Sequence, residues 1–452
     1  MKDLRRQALE SNKTVSRKAR SRLTSRTVSR TQSPHASRSN SRAPSRNVSD
    51  DEDGNLSDET VWSVNSIDEV LSPDNGEFQT DAWIEDLKDR IEQILDRKRS
   101  SVQGREDTLM AYNRILIAKY AQEVIHGRTD ELVAGFLKSI KAETSEKETI
   151  LALKALILTI VTEPSETVYD IVYKPLNRVI NDSESVPSKV AAVHALGVAT
   201  FYGGASVDET QSNMGLLLEI IESDGHSAGA GDSGNVVTSA LEEWGFLATQ
   251  LEDISEETEV AMEAFIEQLD SVDPSVQIAS GENIALAFEK SYTPQEDDED
   301  VSPSPSSDLD PIDEDSDEPR SDGPRLIKRY DAYRRTDQLK HQLASLASIS
   351  SRRLSKKDKK SLHTNFADIL NSVENPTRGP RYQNALNHET GRHYGSRMNV
   401  RIHRTGVMKI DKWWKLHRLQ ALRRILGGGF VTHYESNEVV FDSLPIMISN
   451  DK

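Results

Sequence analysis

The stretch KIDKWWKLHRLQALRRILGGG, residues 409–429, sets Lys409, Lys412, Lys415, Arg418, Arg423 and Arg424 around two adjacent tryptophans, Trp413 and Trp414. Cations beside a flat ring suit a polyanion: the charges meet phosphates and the ring accepts an unstacked base. They suit an acidic protein surface as well. Two more groups of cations precede this stretch, Lys356, Lys357, Lys359 and Lys360 in LSKKDKKSLHTNFADIL and Arg401 and Arg404 in RMNVRIHRTG. The chemistry these residues offer is binding. No phosphate loop and no HExxH pair occurs, and His388 and His393 are separated by ETGR with no third ligand, so no catalytic residue, metal or cofactor is expected.

Charge runs in blocks along the 452 residues, whose formal total is −18. Lys and Arg against Asp and Glu leave about +11 over 1–47, about −43 over 48–319, about +17 over 320–430 and about −3 beyond. Either the basic ends hold a polyanion while the acidic middle repels it, or the blocks neutralise each other within the molecule. Charged residues reach 29% and apolar ones 36%, so part of the chain is expected to remain unfolded. Cysteine is absent and no apolar run spans a membrane, which leads to the expectation of a soluble protein of the cytoplasm, with the nucleus as a second location.

The elements that must position the cations are helical. In TDAWIEDLKDRIEQILDR the apolar residues fall at helical spacing from Trp83, with Thr80 or Asp81 placed to cap. Ser145 with Glu148 forms a capping-box pattern, and Glu163-Pro164, Asn181-Asp182 and Asp273-Pro274 punctuate further helices. Anchor segments then recur: MAYNRILI at 110, ILALKALI at 150, VAAVHALG at 190, VVTSALEEW at 236 and IASGENIALAF at 278. A period of about 40–46 residues predicts an armadillo or HEAT-like solenoid of paired helices. The glycine-rich SDGHSAGAGDSGN, 223–235, is expected to be a flexible insertion.

These observations divide the chain into a basic Ser/Arg-rich and then acidic leader (1–78), the solenoid (79–292), an acidic linker (293–322), a basic helical connector (323–353) and a small basic α+β domain (354–452). The leader and linker are expected to be disordered, and the leader's Arg-x-x-Ser contexts suit kinases. In the last domain RMNVRIHRTG alternates apolar and basic residues like a half-buried strand. Asp411 is placed to cap the helix that follows, Trp414 falls in its core stripe, and Trp413 is left toward the cations. FVTHYESNEVVF and LPIMI are expected to form a short strand and an apolar clasp.

The order of helical repeats, then KKDKKSLHTNFADILNSVEN, then a segment from Trp413 into LGGGFVTHYESN, resembles the interferon-related developmental regulator family in a fungal-type version over roughly 80–445. The resemblance implies an armadillo-like domain, a small C-terminal domain and no enzymatic activity. It also implies one of two roles: attachment to ribosomal RNA of non-translating ribosomes, which represses translation, or nuclear co-regulation of transcription through corepressor and deacetylase complexes. Of these the basic module favours RNA, with no membrane or small-molecule partner. Animal members carry a basic C-terminal tail, and the leader NKTVSRKARSRLTSR matches such a tail in composition. An import or adaptor protein would show a row of Trp and Asn along the solenoid groove, at which only Trp244 and Asn283 hint.

Overall fold

Hydroxyl and carboxylate caps set where the helices begin. The computed structural model describes residues 82–97, 100–295, 326–348, 355–386, 393–402 and 406–444; at 356–358 and 393 it describes the backbone. The caps foreseen at Thr80 or Asp81 lie outside these residues, as do the leader, most of the acidic linker and LPIMI after its first residue, Leu444. Helix α1 runs Ala82–Leu95, and α2, Val102–Ala118, starts where Ser101 accepts the Gly104 N–H. After a single turn α3 (Gln122–Ile125) come α4 (Thr129–Ala142) and α5 (Glu146–Thr162). Ser145 accepts the Glu148 N–H, yet the Glu148 carboxylate turns away to Arg97 and Arg105, both at 2.8 Å, so half of the foreseen capping box forms.

Next follow α6 (Val168–Asp182), α7 (Val186–Tyr202), α8 (Val207–Glu222), α9 (Gly234–Ala248), α10 (Ser255–Gln268) and α11 (Pro274–Lys290). A complete capping box of Ser206 and Glu209 opens α8, and Asp273 with Pro274 in the first turn opens α11. The glycine-rich turn before α9 is built into the fold rather than loosely inserted. Lys189 donates to the carbonyls of Ile180, Asn181 and Ala228, and Ala228 is fully buried.

The recurring anchors all fall on one layer. Helices α2, α5, α7, α9 and α11 pack each on the next, while α1, α4, α6, α8 and α10 cover them as their respective partners. The inner helices are buried on most sides: along α5 the side chains of Glu148–Leu153 and Ala155–Thr162 are all inside. Asparagines stitch this layer, Asn113 of α2 donating to Leu151 O and Asn283 of α11 to Leu241 O, both at 2.9 Å.

The stack continues past the acidic segment. Strands β1 (Tyr292–Pro294) and β2 (Leu326–Lys328) pair antiparallel, Thr293 opposite Ile327, and bring the two sides of that segment together. Helices α12 (Thr336–Ala347) and α13 (Lys356–Glu374) then form one more pair, with α13 against α11. The repeat array therefore extends beyond 292, across the stretch foreseen as a connector and into the one foreseen as a separate module. Leu339, Leu343 and Leu346 on α12 and Leu362, Phe366, Ile369 and Val373 on α13 bury the same kind of stripe as the earlier pairs.

Two antiparallel hairpins follow, β3 (Tyr382–Leu386) with β4 (His393–Ser396) and β5 (Asn399–Ile402) with β6 (Gly406–Lys409). The alternation read in RMNVRIHRTG is present: Val400 and Ile402 are buried, Asn399 and Arg401 exposed. Helix α14 (Trp413–Leu426), a 3-10 turn (Gly427–Gly429), α15 (Phe430–Ser436) and α16 (Glu438–Ser443) complete the described chain. The segment foreseen as a strand is thus helical. Asn437 separates α15 from α16, accepts the Val439 N–H at 3.0 Å and donates to Val161 O at 3.0 Å, so tertiary contacts override the β-branched composition.

Candidate polyanion interface and the buried basic helix

Helix α14 lies on the inner layer, against α5, α9 and α11, and the turn after it reaches α2. The segment therefore runs back along the stack from its last repeats to its first. The solenoid caps both ends. The Glu289 carboxylate accepts the N–H groups of Trp413 (2.9 Å) and Trp414 (3.2 Å), and Lys154 donates to Arg424 O at 2.6 Å. Each end of the helix meets the charge that its dipole favours. The N-terminal residue preceding α14 is Lys412, and Asp411, foreseen as the cap, instead pairs with Lys415 at 2.6 Å.

Between the ends the contacts are polar and buried. Arg424 reaches Glu243 at 2.7 Å and Glu242 at 3.4 Å, and His194 Nδ1 lies 2.7 Å from the same Glu243. Gln420 donates to Glu282 at 3.1 Å. His417 is seated where α9 carries Gly245: a Cβ there would stand 2.5 Å from His417 Cε1 and 2.2 Å from Asn283 Oδ1. Burial works to raise the Glu243 carboxyl, but Arg424 and His194 hold it below its ordinary value. At Glu282 and Glu289 burial outweighs the partners that favour the carboxylate, Gln420 on the first and Lys412 on the second, and pushes both up to about 7. Burial pushes His417 down to about 4, which keeps the imidazole neutral.

This arrangement corrects three of the residues proposed to contact a partner. Trp413, expected beside the cations, is buried at 2% exposure, with its indole N–H donated to Ser372 Oγ at 2.7 Å. Trp414 is the half-buried one, with Lys415 and Arg418 over its ring at 5.6 and 5.1 Å. Arg418 turns inward, donating to Thr249 O and Oγ1 and lying 5.2 Å from the Phe201 ring. Arg424 is consumed by the glutamates. Lys412, Lys415 and Arg423 are half-buried.

The remaining cations are not one patch. Lys359 and Lys360 sit in the first turn of α13, roughly 20 Å along the helix from Ser372, where Trp413 docks. The backbones of Lys356 and Lys357 belong to the same turn, and Arg404 lies outside the described residues. Arg401 and Lys409 do share a surface. They are exposed on one face of the β5–β6 hairpin, on diagonally adjacent positions (Asn399 opposite Lys409, Arg401 opposite Val407), while Val400, Ile402 and Met408 are buried on the other. Among the described residues neither has a salt-bridge partner.

Four residues escaped the reading of the sequence. Arg378 lies 4.9 Å over the Tyr382 ring, and Arg397 5.3 Å over that of Tyr394. The written signal was RGPRY followed by RHYGSR, arginines flanking single tyrosines. The glycine-rich turn also contains GHSAG, Gly225 to Gly229, which spells a G-x-S-x-G nucleophile motif. It joins two helices rather than a strand and a helix, and the Ser227 hydroxyl donates to the Glu219 carbonyl at 3.2 Å instead of to a base.

Among the described residues no helix is long and apolar enough to cross a membrane. Two comparisons bear on ancestry. The chain is 28% identical over 362 residues to an uncharacterized protein of Schizosaccharomyces pombe, covering 79% of this chain and 73% of that one. It is 23% identical over 367 residues to interferon-related developmental regulator 1 of Homo sapiens and of Sus scrofa, covering 78% of this chain and 69% of each relative. The family model for interferon-related developmental regulators matches residues 48–374, ending at the last residue of α13. With the match spanning most of the sequence and ending where the repeat array ends, the chain belongs to the interferon-related developmental regulator family.

Proposed function

We propose that this regulator acts without catalysis, by attaching to the ribosomal RNA of non-translating ribosomes and so repressing translation. The carrying observation is the exposed cationic face of the β5–β6 hairpin. Most cations of α14 are engaged with the protein's own carboxylates, carbonyls and rings, whereas Arg401 and Lys409 stand exposed on a rigid two-stranded element. Phosphate contacts of this kind supply salt-dependent attachment. The nuclear co-regulator reading would place a corepressor on the inner face of the solenoid, and α14 already covers that face.

The test is sucrose-gradient sedimentation of lysate from growing and starved cells, comparing the wild type with Arg401→Glu/Lys409→Glu. Co-migration with single ribosomes but not polysomes, reversed by salt and lost in the variant, is the expected result. Wild-type protein that stays at the top of the gradient in both states would overturn the proposal and favour the nuclear role.

A further inference from the structure

The β3–β4 hairpin carries a second feature, distinct from the cations of β5–β6. Tyr382 of β3 pairs with Ser396 across the ladder, and Tyr394 lies on β4 two positions before Ser396, so the hairpin carries one tyrosine on each strand. Each ring is backed by a guanidinium, Arg378 on Tyr382 and Arg397 on Tyr394. Arg397 is further fixed by donating to Gln383 Oε1 at 2.8 Å on the opposite strand. Tyr394 remains 45% exposed and Leu386, at the far end of β3, 53% exposed. Large apolar groups held this far into solvent by a two-stranded ribbon contribute nothing to a core.

From this geometry, and resting on the RNA-binding reading above, we infer that the β3–β4 hairpin is a stacking site for unpaired bases of single-stranded RNA. Each tyrosine offers a ring to a base, and the arginine beneath it rigidifies that ring and adds positive charge next to the backbone phosphates. A duplex cannot use such a site, because its bases are already stacked and its deep major groove closes off their edges. Arg401 and Lys409 on the neighbouring hairpin then hold the phosphates of any RNA, paired or not, while the tyrosines select the unpaired state. Ser396 joins the two hairpins, its hydroxyl lying 2.9 Å from Pro380 O and 2.8 Å from Ile410 O.

The experiment is fluorescence anisotropy of the full chain with a labelled, unstructured uridine-rich oligoribonucleotide and with a duplex of the same length, at several salt concentrations. Wild type is expected to prefer the single strand. Tyr394→Ala should weaken single-strand binding on the order of tenfold with little change in salt slope and little change on duplex, while Tyr394→Phe retains binding. Arg401→Glu/Lys409→Glu should weaken both RNAs and make the slope shallower. Equal wild-type affinity for the two RNAs, with Tyr394→Ala and Tyr382→Ala both unchanged, overturns the stacking site and leaves the phosphate contacts standing. Failure of the wild type to bind either RNA overturns both.

Discussion

Arg424 and Glu243 are 181 residues apart in the chain and 2.7 Å apart in the fold. Their contact shows where part of the charge segregation in the sequence goes: basic residues of α14 are spent on acidic residues of the repeat array. The blocks neutralise one another inside the molecule at this seam, and outside it the hairpin cations are left for a partner.

Removing one member of this pair leaves a buried charge alone. Arg424→Met is expected to destabilise by about 3–5 kcal/mol, because Glu242 and Glu243 then lose their arginine and keep only His194 beside them. Lys415→Met, at the half-buried Asp411, should change stability by less than about 1 kcal/mol. Denaturant unfolding of both variants checks the contrast, and equal losses would contradict the internal role of Arg424.

The two tryptophans should separate in the same assay. Trp413→Ala is expected to destabilise by about 3–5 kcal/mol, since a buried indole and its bond to Ser372 are lost together. Trp414→Ala, half-buried, should cost roughly half as much or less. The reverse ranking in thermal melts would restore Trp413 to the surface.

Mild acid should strengthen the fold. The Glu282 and Glu289 carboxyls, pushed up to about 7 from 4.5, bind protons on folding across that window, so the stability they contribute is fully present below 4.5 and is lost as pH rises through 7. Lys412, Asp411, Gln420, Glu242, Arg381 and Arg424 surround them and are part of that balance. His417, pushed down to about 4 from 6.5, acts in the opposite direction as pH falls. Asp368, pushed up to about 6, acts with the two glutamates, and His433, lowered by burial, acts with His417. Three carboxyls outweigh two imidazoles, so the denaturation midpoint should rise between about pH 7.5 and about pH 5.5, and Glu282→Gln with Glu289→Gln should flatten the rise. A midpoint that falls over this range in the wild type would count against the buried carboxylates.

Gly429 touches α2 at the far end of the seam. A Cβ there would stand 1.8 Å from Ile117 O, so Gly429→Ala should force the turn off α2 at a cost of about 1–3 kcal/mol or more. Faster proteolysis after Leu426 is the expected signature, and unchanged cleavage would show that the turn has room to spare.

The repeat array was legible because each inner helix carries its own apolar run and all but α9 a side-chain cap, all within about 40 residues. What escaped was set by partners far away in sequence. Along α14, Trp413 belongs with Leu416, Leu419, Leu422 and Leu426, while Trp414 belongs with His417, Ala421 and Ile425, and both sets are largely buried because the helix is covered on more than one side. Periodicity assumes one buried stripe and so could not choose between the tryptophans. Nor could it see that α12 and α13 extend the stack, since the acidic segment before them looks like a domain boundary. The arginine–tyrosine pairs of the β3–β4 hairpin are local, three or four residues apart, and were passed over because each ring–cation contact is set by side-chain direction and not by an apolar period.

An open repeat array gains stability by nearest neighbours and can fray from either end. Here the last helices lie across inner helices from α11 back to α2, so contacts separated by 270 to 317 residues, such as Lys154 with Arg424 O and His433 with Leu116 O, close the series on itself. During synthesis the repeats emerge first and wait, their inner face uncovered, until the residues that complete them leave the ribosome. The array should then unfold as one cooperative unit rather than repeat by repeat, and its slow step in folding should be the arrival of its own C-terminal segment.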